Sequence, residues 1–249
     1  GLLIKEYNKF MTKFGKIITF IILAVISIGV FFFLTQDEKI ENSEDFITET
    51  DQGFSYVEET DWYQISMNYP KDPIVLADAQ IFALTRVEEF KKIFENFSDE
   101  DREVFENSAS GKYGLGLDYT KKDSGSGLVT YLFDTYEYTG GAHGNPGLFT
   151  FSYDSTGKRV DIEDVLKSDP QNLAAIAAMT QDYLAGLFDE GLEVLFLDGL
   201  APLYENYNNF YIENDELVFL FPPYHAGQYV RLTLEAKLPI EEVFGYLNE

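Results

Sequence analysis

Eighteen consecutive uncharged residues, Ile17 to Leu34 (IITFIILAVISIGVFFFL), set the first limit on what this chain can fold into. As a helix rising about 1.5 Å per residue, such a run extends roughly 27 Å, close to the ~30 Å hydrocarbon core of a bilayer. Lys5, Lys9, Lys13 and Lys16 precede it against Glu6 alone, and acidic residues dominate the chain beyond it. The run ends Phe31-Phe32-Phe33-Leu34-Thr35-Gln36, without the small residues of a signal-peptide cleavage site. The reading is an uncleaved transmembrane signal anchor over residues 17–36. The lysine-rich side stays in the cytoplasm. Residues 1–16 are then a short cytoplasmic tail, and the remainder lies outside a cell membrane that the chain crosses once. The chain opens on Gly1 rather than Met, and Met11 is a credible start.

Charge narrows the partners. The formal net charge is −25, and residues 37–249 hold 14 basic residues against 42 acidic ones, a local balance of −28. A domain so acidic repels nucleic acid and anionic lipid and favours cations and basic proteins. The chain has no cysteine. Disulfides, thiol catalysis and zinc–cysteine sites are thereby ruled out.

Residues 37–61, rich in Glu, Asp, Asn, Thr and Ser, read as an acidic, solvated linker without the spacing of a calcium loop. Tyr63 to Pro70 then alternates as a strand, with Tyr63, Ile65, Met67 and Tyr69 facing the core. Ile81, Leu84, Val87, Phe90, Phe94 and Phe97 recur at helical spacing and predict a long amphipathic helix. Tyr113 to Tyr119 and a strand from Val129 form a predicted antiparallel hairpin, followed by strands at 148–154 and 158–161. Asp169-Pro170 opens a second helix, with Leu173, Ile176, Ala177, Tyr183, Leu184 and Leu187 on its buried side. A hairpin at 210–221, a strand over 229–238 and a short helix after Pro239 complete the pattern. The expected fold class is α+β, with mainly antiparallel sheets and one long helix packed in each half, after a single N-terminal transmembrane helix.

The chemistry candidates are few. Tyr136 and Tyr138 end a strand that runs into Thr139–Gly147 (TGGAHGNPG), a loop whose four glycines allow backbone angles that other residues resist. Gly140, Gly141, His143 and Gly144 are its candidates for binding a ligand or shaping the loop. Tyr224 and His225 are their counterparts on a second loop, Pro222 to Gly227. His143 and His225 are the only imidazoles. Their separation and the lack of H-x-x-x-H or H-x-E spacing favour hydrogen-bonded or interface roles over a metal site. No nucleophile elbow, P-loop or dinucleotide motif occurs, and Asp134 and Glu137 as a carboxylate dyad are what chance supplies among 43 acids. The expectation is a binding module, without enzymatic activity and without a cofactor or resident metal.

The succession Tyr136-x-Tyr138-Thr139-Gly140-Gly141-Ala142-His143-Gly144, then Asp161 to Leu166, then Leu217 to Tyr224 and Leu238-Pro239, resembles a bacterial family. It is the extracytoplasmic domain pair of the anti-sigma factor RsiV and of the N-terminal part of the peptidoglycan deacetylase PdaC. The resemblance spans about residues 60–247. It implies a PdaC-like α+β domain over 62–154 and an RsiV-type C-terminal domain over 155–249. It further implies an extracytoplasmic sensor or binder whose partner is a basic envelope protein, such as a lysozyme-like muramidase, or wall glycan. RsiV adds a cytoplasmic sigma-binding segment and PdaC a downstream catalytic domain. The short tail before residue 17 and the end at Glu249 match neither, so binding alone is expected. An anti-sigma role with a missing cytoplasmic part and a hydrolase acting on wall polymers through His143 are the alternatives.

Overall fold

The computed structural model describes residues 46–95, 97–98, 100, 111–125, 127–189, 191–228 and 233–248. The expected membrane anchor and cytoplasmic tail lie outside these residues. Among the described residues no helix is long and apolar enough to cross a membrane.

Seven strands form the first sheet in sequence order: β1 (Ile47–Glu49), β2 (Gly53–Glu59), β3 (Tyr63–Pro70), β4 (Tyr113–Asp123), β5 (Val129–Tyr138), β6 (Asn145–Tyr153) and β7 (Arg159–Val160). Every neighbouring pair is antiparallel except β3 and β4, which run parallel. A parallel pair needs a crossover connection. Here α1 (Leu76–Lys92) lies in that connection. Its Ala79, Ala83, Val87 and Phe90 are buried in a core with Ile65, Met67, Tyr69, Leu115, Leu117, Tyr131 and Phe133. The two alanines let the helix axis approach the sheet, while the larger residues fill the space beside them.

The second half builds a smaller sheet, β10-β9-β8, from β8 (Phe210–Glu213), β9 (Glu216–Phe221) and β10 (Leu234–Pro239). Asn214 and Asp215 join β8 to β9 with φ of 54° and 60°. Both values belong to the left-handed region that a tight two-residue hairpin requires and that Asn and Asp tolerate. The long helix of this half is α3 (Pro170–Ala185), and the Asp169 side chain caps it by accepting from the Gln171 N–H. The short α2 (Ile162–Val165) precedes it; α4 (Tyr204–Tyr207) and α5 (Ile240–Val243) come after it.

β9 explains how the halves join. Its Leu217, Phe219 and Phe221 pack with Ile176 and Leu184 of α3, whereas Val218 and Leu220 cluster with Tyr211 and with Leu132 and Leu148 of the first sheet. A strand buried on both faces reads as a continuous apolar run. Polar bonds seal the same seam. Thr150 donates through its hydroxyl to the Asn208 carbonyl and accepts from the Phe210 N–H, and the Thr150 N–H donates to the Asn209 side chain.

Several expectations are corrected. The linker predicted over 37–61 is not solvated spacer from residue 47 on: 47–49 and 53–59 are strands of the sheet. The reading failed at Tyr56-Val57-Glu58, where Tyr56 and Glu58 point inward and the apolar Val57 is exposed. Helix α1 begins at Leu76, and Ile81, expected on its buried face, is exposed. Leu187 is likewise exposed, because α3 ends at Ala185. The glycine-rich loop is shorter than predicted, since β6 already starts at Asn145.

Candidate functional site

The β5–β6 turn gathers six of the eight candidate residues. Tyr136 and Tyr138 end β5 opposite Gly116 and Gly114 of β4, so a tyrosine faces a bare glycine at each of these two positions. Tyr136 also pairs with Pro146 across β6. Its ring covers Gly144: a Cβ there would lie 2.3 Å from the tyrosine Cζ unless the ring shifted. Gly140 and Gly141 hold φ of 100° and 96°. These are angles that a side-chained residue adopts only under strain. The Tyr138 hydroxyl donates 3.0 Å to the Gly141 carbonyl and ties the strand end to the turn. His143 is exposed, with Nδ1 3.0 Å from the Gly144 carbonyl. A half-exposed tyrosine and an imidazole thus flank a turn of fixed backbone.

Tyr224 and His225 belong to a different loop, directly after β9. The His225 N–H bonds to the Pro222 carbonyl and the Tyr224 N–H to the Gly227 carbonyl. Tyr224 takes a φ of 68° and is exposed. The loop is pressed against residues 195–199, where a Cβ on Gly199 would meet the His225 carbonyl oxygen at 1.8 Å. His225 Nε2 is buried with no hydrogen-bond partner among the described residues, and its ring leans on Phe221 at 5.8 Å between centroids. Among the described residues no three His, Asp or Glu side chains converge on a metal-sized site. Of the carboxylates weighed as a dyad, Glu137 is paired with Arg86 at 3.4 Å. Asp134 stands opposite Asp118 in the β4–β5 ladder, and desolvation followed by that like charge raises its carboxyl.

Two polar clusters escaped the sequence reading. Glu58 is buried, is ion-paired with Lys91, and accepts from the hydroxyls of Tyr56 and Tyr63. Burial opposes its charge, yet the bonds from Lys91, Tyr56 and Tyr63 prevail and lower its carboxyl below the ordinary value. The second cluster lines a cleft of about 1140 Å³ between β3 and β4. The parallel pairing ends at Met67–Leu117; beyond it β3 continues with β2 and β4 with β5, so the two strands part. Two bonds span the gap. The Tyr119 hydroxyl donates to the Gln52 carbonyl at 2.8 Å, and Lys121 Nζ lies 3.0 Å from Asp72 Oδ2. Asp72 also accepts from the Tyr131 hydroxyl, the largest contribution to its lowered carboxyl, and from the Ile74 N–H. No sequence motif marks this cleft, because its walls lie some fifty residues apart and meet only through the crossover.

Comparison with known proteins agrees with both halves. Residues 56–146 match the family described as deacetylase PdaC, and residues 163–241 match DUF3298, a family of unknown function. The peptidoglycan-N-acetylmuramic acid deacetylase PdaC of Bacillus subtilis (strain 168) is 27% identical over 169 residues, covering 66% of this chain. The chain spans only 35% of that relative's length. In fold, a crystal structure of a DUF3298 family member from Bacteroides fragilis superposes with a TM-score of 0.62 at 19% identity, covering 78% of this chain and 92% of that one. A DUF3298 family protein from Pseudomonas aeruginosa gives 0.50 at 16% identity, covering 81% and 93%. Residues 56–146, on the seven-stranded sheet, are thus similar to the PdaC family, and residues 163–241, which include β8 to β10, to DUF3298.

Proposed function

We propose that this protein is a membrane-anchored, extracytoplasmic module that binds a ligand of the cell envelope without transforming it, and that the ligand is wall glycan. The observation that carries the reading is the shared segment: the chain aligns with 35% of an enzyme named for its action on peptidoglycan. A region held in common with a wall-acting enzyme suits attachment to the wall. The apolar run at 17–34 with its flanking charge step supplies the anchor.

The test uses the full chain in mild detergent, mixed with purified peptidoglycan sacculi and sedimented. Co-sedimentation that survives moderate salt is the expected result; a chain left in the supernatant at every salt concentration overturns the glycan reading. Topology has its own test. The chain contains no cysteine, so Glu193→Cys introduces a single thiol at an exposed position. A membrane-impermeant maleimide added to intact cells is expected to label it; labelling only after lysis contradicts an outside location.

A second reading rests on charge. The balance of −28 over residues 37–249 favours a basic envelope protein such as a muramidase. That complex would form in low salt and weaken steeply as salt rises, whereas glycan binding would change little.

A further inference from the structure

We propose that the cleft between β3 and β4 is the glycan site, and that it takes an uncharged oligosaccharide of N-acetylated amino sugars. The inference deepens the wall-glycan reading and rests on it.

β3 and β4 are parallel, and their pairing ends at the cleft. The crevice therefore lies beyond the carboxyl ends of a parallel pair, where the two strands diverge toward their other neighbours. At about 1140 Å³ the cleft exceeds the ~300–1,000 Å³ of small-molecule sites, which favours an extended ligand.

Phe54, Tyr119 and Pro73 line the cleft with accessible apolar surface. Such surface matches the C–H faces of pyranose rings and the methyl of an acetamido group. Asn68 and Asp118 supply an amide and a carboxylate beside it. Asn68 is half-buried, and its side-chain amide offers both donors and an acceptor to a ligand hydroxyl or acetamido group. Asp118 accepts from the adjacent Tyr119 N–H through one oxygen and has capacity left on the other.

The two lysines of the cleft are already engaged, Lys71 with Glu49 at 3.4 Å and Lys121 with Asp72 at 3.0 Å. Asp51, Asp72 and Asp118 leave the lining net negative, which disfavours an anionic sugar. A peptide strand adding to the open edge of β4 is also disfavoured. The Tyr119–Gln52 and Lys121–Asp72 bonds cross that edge and block the continuous ladder that strand addition requires.

The experiment titrates the isotope-labelled full chain in detergent with a tetrasaccharide of N-acetylglucosamine, followed by amide shifts and calorimetry. Saturable shifts concentrated at Gly53, Asn68 and Asp118, and affinity at least tenfold weaker in Asn68→Ala, are expected. The amide shifts of the unmutated protein keep the test decisive if a variant fails to fold. No tetrasaccharide binding, or shifts confined to the β5–β6 turn or the 222–227 loop, overturns the proposal. Tighter binding of a muramic-acid-containing, anionic fragment overturns the ligand class. If sacculi still sediment the chain in any of these cases, the wall reading stands and only the cleft fails; if they do not, both fail.

Discussion

At the scale of single residues, Glu58 is the most consequential charge in the first half. Its carboxyl is lowered by Lys91, Tyr56 and Tyr63 despite burial. A carboxyl lowered in the folded state contributes stability that is complete above its unfolded pKa and disappears as pH falls through the folded one. Urea midpoints of the wild-type protein should therefore decline as pH falls through and below the ordinary glutamate range. Glu58→Gln should cost about 1–3 kcal/mol at neutral pH, because Lys91 loses its charged partner in a half-buried place and is left with the Tyr56 hydroxyl. The variant's acid slope should also be shallower; an unchanged slope assigns the decline to other carboxylates, Asp72 first. In the β5–β6 turn, Gly144→Ala pushes a methyl into the Tyr136 ring. That ring is half exposed and can swing away. The expected loss is therefore modest, about 1–2 kcal/mol. In a Tyr136→Ala background the same substitution should cost almost nothing. A double-mutant cycle read by thermal melts reports this coupling, and additive losses would disprove the contact.

At the scale of elements, α1 separates what was legible from what was not. The helical spacing of Val87 and Phe90 was visible, and both are buried. The start of the helix was not visible, because its first buried positions are Ala79 and Ala83, whose small side chains carry little hydrophobic signal. Ile81→Lys should leave stability within about 0.5 kcal/mol, whereas Phe90→Ala should cost about 3–5 kcal/mol. Equal losses in denaturant titrations would restore Ile81 to the core. β2 failed for the opposite reason. A buried carboxylate whose charged partner, Lys91, comes from helix α1 looks, along the chain, like the linker charges beside it. The candidate turn was legible because Tyr136 to Gly144 is contiguous in sequence. The cleft was not, since Asn68 and Asp118 become neighbours only when β3 and β4 pair in parallel.

At the scale of the whole molecule, the halves have separate cores joined by one seam. Thr150 ties that seam through bonds to Asn208, Asn209 and Phe210. Lys122 of β4 reinforces it with a 2.8 Å ion pair to Glu213. Thr150→Val keeps the shape but strands polar groups, and should cost about 1–3 kcal/mol. The wild type should unfold in a single calorimetric transition, and the variant should broaden it or split it in two; separate transitions already in the wild type would mean the seam does not couple the halves. The same seam orders events during biosynthesis. Leu132 and Leu148 stay uncovered until Val218 and Leu220 emerge. At about 5–20 residues per second that interval is on the order of several seconds. For so long the nascent sheet carries a greasy back, and whatever machinery delivers this chain must shield it until the second half arrives.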